Sequence, residues 1–325
     1  MVLVTGASGF LGSELVYQLL EKGEYVRALK RENSLIPPLL KNRAGIEWVN
    51  ADILDYFALE DALEDISEVY HCAAMISFDP ADKKKLYQVN AEGTANIVNL
   101  CLEKKIKKML HVSSVAAVGE AKPGQQVTEK NHWEYNGRQH GYSISKYESE
   151  MEVWRGIAEG LNAVIANPSV IIGKNAGTSG SGELFDTVRK GLKFYTKGTI
   201  SMVDVEDTAR ALIALMESNI SGERFIISAE TWPNRELFGE IAAGFDISPP
   251  AIEAKPWMLS LAWRGAALAS FISGKKFKIT RETARSAVKQ HDYSSQKLKD
   301  AIRIEFKPIK NTIHEICKSL KETQP

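Results

Sequence analysis

The run Tyr142-Ser143-Ile144-Ser145-Lys146 sets a phenol and an ammonium four residues apart, and on a helix that spacing puts both groups on one face. A tyrosine near its reference pKa of about 10 is a weak acid-base group at neutral pH, and a neighbouring ammonium is expected to pull that value down by stabilising the phenolate. Such a pair suits hydride transfer to a carbonyl, where the developing alkoxide needs a proton donor. The same spacing recurs at Tyr293 and Lys297, so spacing alone does not locate a site. Position separates the copies. Tyr142 follows Ser114 by 28 residues and opens a helical pattern that leads to a further strand, whereas Tyr293 comes after all the recognisable parallel strands and has no serine similarly placed upstream.

A second constellation stands at the start of the chain, Val2-Leu3-Val4-Thr5-Gly6-Ala7-Ser8-Gly9-Phe10-Leu11-Gly12. It reads as a buried strand running into a glycine-rich turn that opens a helix. The spacing Gly6-x-x-Gly9-x-x-Gly12 lets the backbone turn sharply, approach a pyrophosphate closely and leave helix N-terminal amides facing the anion. Gly6, Ser8, Gly9, Phe10, Leu11 and Gly12 are therefore expected to contact a dinucleotide. The context supports this: Leu11, Leu15, Val16, Leu19 and Leu20 recur at helical spacing until Gly23, and a strand follows at Tyr25 to Leu29.

The elements that must position these groups alternate. Strand patterns at Ile46 to Val49, Val69 to Ala73, Lys108 to Val112 and Asn162 to Ile172 are interleaved with helical patterns at about Lys84 to Lys105 and Tyr142 to Glu159. That alternation predicts an α/β fold, a doubly wound parallel Rossmann-type sheet. Beyond Gly173 the pattern loosens. Residues 1–173 are expected to form the dinucleotide-binding domain, with 199–230 packing back on it, and 174–198 with 231–325 a smaller, mostly helical substrate-binding region. Within these, helices are expected at Leu184 to Lys190 and Asp207 to Ser218, and strands at Thr199 to Val205 and Arg224 to Ser228.

Composition narrows the classes. The 325 residues carry 41 basic and 41 acidic side chains, a formal net charge of zero, which gives no electrostatic footprint for nucleic acid. Cys72, Cys101 and Cys317 are odd in number and far apart, against a disulfide framework or zinc site and in keeping with a reducing, cytoplasmic setting. His132, His140, His291 and His314 show no metal-ligand spacing, so no metal is expected. With a strand pattern starting at the first residues, no leader is expected. Pro256 to Ser273, interrupted by Arg264, falls short of a membrane span of about 20 apolar residues; it is read as a buried or pocket-lining helix rather than a membrane-surface one.

With these elements assembled, the chain resembles the extended short-chain dehydrogenase/reductase family, which includes dihydroflavonol reductases, 3β-hydroxysteroid dehydrogenases and sugar-nucleotide epimerases. The resemblance covers residues 1 to about 230 and rests on Thr5 to Gly12, Asp52-Ile53, His71-Cys72-Ala73-Ala74, Asn90 with Gly93-Thr94, Ser113-Ser114 with Gly119, Tyr142 with Lys146, Asn167-Pro168-Ser169-Val170, and Val203 to Asp207. It implies that Ser114 holds the substrate oxygen, Tyr142 is the acid or base, and Lys146 binds the nicotinamide ribose and tunes Tyr142. By the same resemblance Asp52 and Ile53 lie against adenine, Ala73 and Ala74 along the cofactor, and Pro168, Ser169 and Val170 beside the nicotinamide. Asn90 is either a cofactor-site asparagine or a structural one. Asp204 and Asp207 resemble structural aspartates near the domain junction, and a homodimer through about Lys84 to Lys105 and Tyr142 to Glu159 is implied.

Cofactor choice turns on the second strand's end. A carboxylate there would bind ribose hydroxyls and repel a 2′-phosphate; the sequence instead offers Lys30 and Arg31, which favours NADP, with NAD left open by Glu32. A small-molecule aldehyde or ketone is expected as substrate, contacted near Val115, Asn131 to Tyr135 and Thr178 to Leu184. No acid flanks Ser114, as a dehydratase of the family would require, and Trp257, Trp263 and Phe271 suit an apolar compound. The alternative is a nucleotide-sugar epimerase or dehydratase working through a transient ketone, for which Arg189 with Lys190, or Arg281 with Arg285, would be candidate diphosphate ligands.

Overall fold

The computed structural model describes residues 1–122, 124–137, 139–177, 180–273 and 281–322. Among the described residues the strands are β1 (Val2–Thr5), β2 (Val26–Lys30), β3 (Ile46–Asn50), β4 (Glu68–His71), β5 (Lys108–Val112), β6 (Ala163–Pro168), β7 (Val170–Ile172), β8 (Phe194–Tyr195), β9 (Thr199–Asp204), β10 (Glu223–Ile227), β11 (Glu230–Pro233) and β12 (Ile252–Glu253). The helices are α1 (Phe10–Glu21), α2 (Tyr56–Ala62), α3 (Lys83–Tyr87), α4 (Gly93–Glu103), α5 (Gly141–Ala158), α6 (Gly182–Arg189), α7 (Val205–Glu217), α8 (Asn234–Gly244), α9 (Pro256–Ser273), α10 (Arg281–Ser286), α11 (Gln296–Ile302) and α12 (Ile309–Glu322).

Seven strands form one parallel sheet in the order β10-β6-β5-β4-β1-β2-β3. The order reverses between β1 and β4, and a crevice opens at their carboxyl ends, where such sheets bind ligands. Burial on both faces explains why β1, β5 and β6 are buried at every position. One apolar cluster joins α1 and α7 to the sheet, and a second joins α2, α4 and α5 to it. A third, built on α6, α8 and α12, supports a three-stranded sheet ordered β11-β9-β7.

Three expectations are corrected. Asn162 to Ile172 is two strands in different sheets, because Pro168 brings no N–H to the ladder and, after the Ser169 amide donates to the Ile227 carbonyl, the chain crosses to the smaller sheet. Lys84 to Lys105 is not one helix: a π-turn over Gln88–Glu92 separates α3 from α4. At Gly93 an added Cβ would stand 2.7 Å from Ile53 Cδ1, so glycine lets α4 start against that side chain. The third correction is α9. None of residues 256–266 is buried: Trp257 and Leu261 are 61% and 59% exposed, Met258, Leu259 and Trp263 are half-buried, and α10 packs against the helix without enclosing it.

Candidate active site

The glycine turn is shaped by close approach. Gly6 adopts φ +68°, and a Cβ there would lie 2.8 Å from the Ala73 backbone; a Cβ on Gly12 would lie 2.2 Å from the Gly6 carbonyl. No L side chain fits either position without moving backbone. Gly9 caps α1 without a side-chain hydrogen bond, and the first turn carries no acidic residue. The leading amides of α1 are thus left for an anion. Ala73 sits directly across the turn, its amide donating to Thr5 Oγ1 at 3.1 Å. Ala74 is exposed beyond it.

On the far wall, Ser114 ends the β5 connection with extended backbone, its Oγ accepting from the Ala116 amide at 3.1 Å. Its hydroxyl lies near enough to the Tyr142 phenol to favour the phenolate. Tyr142 lies in the first turn of α5, capped by His140 Nδ1, which accepts from the Ser143 amide at 3.0 Å. Phe78 and His140 flank the phenol ring at centroid distances of 5.9 and 6.1 Å. Tyr142 keeps part of its surface open, yet these walls desolvate it. Its pKa is therefore raised by burial, with Ser114 pulling the other way. This departs from the expected depression, because the lysine ammonium is engaged elsewhere.

Lys146 is 2% exposed, and its Nζ donates to the Val112 carbonyl at 2.8 Å. Burial lowers its pKa to about 8 against the opposing pull of Glu150 and then Cys72. Glu150, one helical turn further along α5, is 1% exposed. Its Oε2 accepts from Ser113 Oγ and from Asn167 Nδ2, both at 2.7 Å, and its Oε1 from Arg224 at 3.0 Å. Asn167 Nδ2 also donates to the Ser114 carbonyl. One buried carboxylate thereby ties α5 to the ends of β5 and β6. The Arg224 guanidinium also donates to the carbonyls of Glu129 and Asn131.

A second buried polar chain runs behind the crevice. His71 Nδ1 meets Thr5 Oγ1 at 2.8 Å and His71 Nε2 meets Thr94 Oγ1 at 3.0 Å; Thr94 reaches Ser149, which reaches His111. Burial lowers the His71 pKa to about 3 and that of His111 well below the ordinary range. Both are neutral structural links. The Asn90 side chain pairs with both backbone groups of Met75 and donates to Ser145 Oγ at 2.9 Å. Cys72, half-buried, has its pKa raised to about 12 by burial.

The remaining expected cofactor residues are distributed as follows. Lys30 ends β2, its Nζ donating to the Glu32 carbonyl at 3.3 Å, and Arg31 is exposed beside it. Asp52 caps a turn, accepting from the Leu54 amide at 3.0 Å, and Ile53 is only 8% exposed within the second core cluster. Pro168 closes β6, Val170 is exposed, and Ser169 Oγ is buried with no partner. That orphan hydroxyl, with the glycine cradle and the uncapped start of α1, fits a dinucleotide lying from α1 across to Ser169. Asp204 caps α7 and Asp207 receives the Lys307 amide, joining that helix to the C-terminal segment.

In the expected substrate region, Asn131 is used locally, accepting from the Thr128 amide, and Trp133 stacks on Tyr147 at 4.2 Å. Thr178 and the side chains of Phe271 and Arg281 lie outside the described residues. Sequence reasoning passed over Glu150, Arg224, Phe78 and the His140 cap. The recoverable signal was Glu150, four residues after Lys146 and so on the same helix face. Among the described residues no group of three or more His, Cys, Asp or Glu could hold a metal ion, and no described helix is long and apolar enough to cross a membrane.

The model of the NAD dependent epimerase/dehydratase family matches residues 2–228. The chain is 31% identical to sterol demethylase protein B of Methylococcus capsulatus over 70% of its own length and 69% of that protein. It is also 31% identical to a putative dihydroflavonol 4-reductase of Synechocystis, over 80% of this chain and 77% of the other. Among solved structures, the UDP-glucose 4-epimerase of Thermotoga maritima bound to UDP-glucose superposes with a TM-score of 0.81 at 18% identity, over 100% and 99% of the two chains, a likeness of fold. The crevice, its glycine turn and these matches lead to one conclusion: the chain belongs to the NAD dependent epimerase/dehydratase family of extended short-chain dehydrogenases/reductases and is an NAD(P)-dependent oxidoreductase.

Proposed function

We propose that this protein is an NADP-dependent carbonyl reductase acting on an aldehyde or ketone through Ser114, Tyr142 and Lys146. The observation that carries this reading is the placement of the Tyr142 phenol in the first turn of α5, within reach of the Ser114 side chain that follows β5, in the protonated form that a tyrosine has at neutral pH. A protonated phenol is the form that donates. When bound, the nicotinamide supplies the hydride. Ser114 and Tyr142 hold the carbonyl oxygen, Tyr142 delivers the proton to it, and Lys146 would hold the nicotinamide ribose. Asp52, Ile53, Ala73 and Ala74 serve the cofactor's adenine and diphosphate portions, and Pro168, Ser169 and Val170 its nicotinamide end.

Lys30 and Arg31 support NADP, since two cations stand where a carboxylate would discriminate against a 2′-phosphate. Replacing both with alanine is expected to raise the KM for NADPH about 10-fold to 100-fold, as for loss of charge-assisted phosphate contacts worth about 1.4 to 3 kcal/mol, and to leave NADH little changed. A similar loss for both cofactors would remove this assignment. The family name keeps nucleotide-sugar epimerisation as the second reading. Arg189 and Lys190, the candidate diphosphate ligands for that reading, pair with Asp186 at 3.3 and 2.5 Å.

The deciding experiment follows NADPH and NADH oxidation across aldehydes, aromatic and steroid ketones and dihydroflavonols, with Tyr142→Phe as control. Turnover with NADPH that vanishes in the variant supports the reductase. Tight cofactor binding without net oxidation, together with interconversion of nucleotide sugars, supports the epimerase. A homodimer through α4 and α5 belongs to the same proposal; the apolar side chains Tyr87 on α3 and Met151 on α5, 46% and 44% exposed, support it.

A further inference from the structure

We propose that Arg224, on β10, is a positioning residue that acts on the reaction through the Ser114 hydroxyl; the inference rests on the reductase reading of that site. Ser114 belongs to the segment 113–119 that leaves β5, and both ends of this segment are held by hydrogen bonds. At the first end, Ser113 Oγ donates to Glu150 Oε2 at 2.7 Å, while Asn167 Nδ2 donates to the same oxygen at 2.7 Å and to the Ser114 carbonyl at 3.0 Å. At the other end the Gly119 amide donates to the Asn131 carbonyl at 3.3 Å. Arg224 grips both supports. Its Nη1 donates to Glu150 Oε1 at 3.0 Å, its Nη2 to the Glu129 and Asn131 carbonyls at 2.7 and 2.9 Å, and its Nε to the Glu129 carbonyl at 3.1 Å.

Only a guanidinium does this. Its planar fork presents donors in several fixed directions at once, whereas a lysine ammonium is a point charge that cannot serve a carboxylate on one side and two carbonyls on the other. The Arg224 side chain is 15% exposed and that of Glu150 2%, so the pair is shielded from water and its geometry is kept. Backbone contact couples the loop to the segment: a Cβ on Gly119 would stand 1.9 Å from the His132 carbonyl oxygen and 3.0 Å from the Trp133 amide nitrogen. Glu129 gives the loop a further hold on β10, its Oε1 accepting from the Ile226 amide at 2.8 Å. A separate hold, Ser143 Oγ donating to the Ala116 carbonyl at 2.6 Å, ties the middle of the segment to α5 without Arg224. A reacting group must be kept within about 0.5 Å of its productive place. Arg224, by fixing both ends of the segment, sets where Ser114 stands relative to Tyr142.

The test is a double-mutant cycle on kcat with Arg224→Lys and Ser114→Ala in the full-length protein. It uses NADPH and the best-reduced member of a series of aldehydes, aromatic and steroid ketones and dihydroflavonols. Arg224→Lys keeps a cation beside Glu150 and drops the forked grip, and is expected to lower kcat about tenfold. Ser114→Ala is expected to lower it about 10²-fold. The double variant should fall no more than about twofold below Ser114→Ala alone, because Arg224 acts through the hydroxyl already removed. The dissociation constant for NADPH, read by fluorescence titration, should stay unchanged. Gly119→Ala disturbs the same segment from its other end and should show the same dependence on Ser114; it carries the test if melting curves show that Arg224→Lys does not fold. Losses that multiply in the double variant would overturn the inference and leave the reductase reading standing, as would Arg224→Lys with wild-type kcat. No turnover by wild type across the series, or wild-type kcat in Ser114→Ala, would remove the reductase reading and this inference with it.

Discussion

Two Tyr-x-x-x-Lys pairs occupy this chain, and they do opposite things. Tyr142 and Lys146 both lie on α5, with the lysine 2% exposed and its Nζ on the Val112 carbonyl at the end of a central strand. Tyr293 precedes α11, while Lys297 lies within it. There the Lys297 ammonium donates to the Arg224 carbonyl, pairs with Glu223 at 2.7 Å and sits 4.5 Å above the Phe225 ring. Tyr293 bridges to Val127 and packs against Val118 and Ile226, its pKa raised to about 12 by burial. The second pair fastens a loop to the sheet edge. Equal spacing thus gives different surroundings: only in the first pair do both residues share a helix, and only there does the lysine reach the end of a central strand.

The largest separation between the copies is expected from the tyrosines. Tyr142→Phe removes the proton donor and should lower kcat about 10²-fold to 10⁴-fold, while Tyr293→Phe, losing only a hydroxyl remote from the crevice, should stay within about twofold. Steady-state NADPH oxidation checks both. Next comes Glu150→Gln, which leaves Arg224 without its buried partner and should cost about 3 to 5 kcal/mol in denaturant unfolding. The loss would be smaller if Arg224 reaches water through its 15% exposed side chain.

Lys146→Met sharpens the comparison through pH. The folded-state pKa of Lys146, about 8, lies below the unfolded value of about 10.4. Between these values the unfolded chain holds more protons, so this group's contribution to stability rises with pH through that window and is flat below it. The methionine variant should lose that rise in thermal melts recorded from pH 7 to pH 10, and should lower kcat by about tenfold or more. The smallest effect is expected for Lys297→Met. Its ion pair with Glu223 is solvent-accessible on both sides, so unfolding should change by no more than about 1 kcal/mol, with kcat unchanged.

Much of this was legible in advance. β1, the glycine turn and α1 follow from an apolar run, three glycines and helical leucine spacing, and the parallel sheet follows from the alternation of patterns. Ser114, Tyr142 and Lys146 converge because their positions at strand and helix ends are local consequences of that alternation. What stayed hidden is non-local. Arg224 comes 74 residues after Glu150, and neither residue's neighbourhood announces the other. The break at Ser169 depends on which sheet receives β7. Within the π-turn at Gln88–Glu92, Asn90 pairs with Met75, 15 residues earlier. That none of residues 256–266 of α9 is buried could not be read from hydrophobicity, since an apolar helix is ordinarily covered.

The most direct test of the claim that burial at the crevice distinguishes the first pair is the pH dependence of kcat for carbonyl reduction in wild type, Glu150→Gln and Lys297→Met. Loss of the Lys146 proton should make wild-type kcat fall as pH rises through about 8. Glu150 is the first opposing influence holding that value up, so Glu150→Gln should move the limb to lower pH, while Lys297→Met leaves it in place. A limb at the ordinary lysine value of about 10.4, or one that shifts in Lys297→Met and not in Glu150→Gln, would contradict the account.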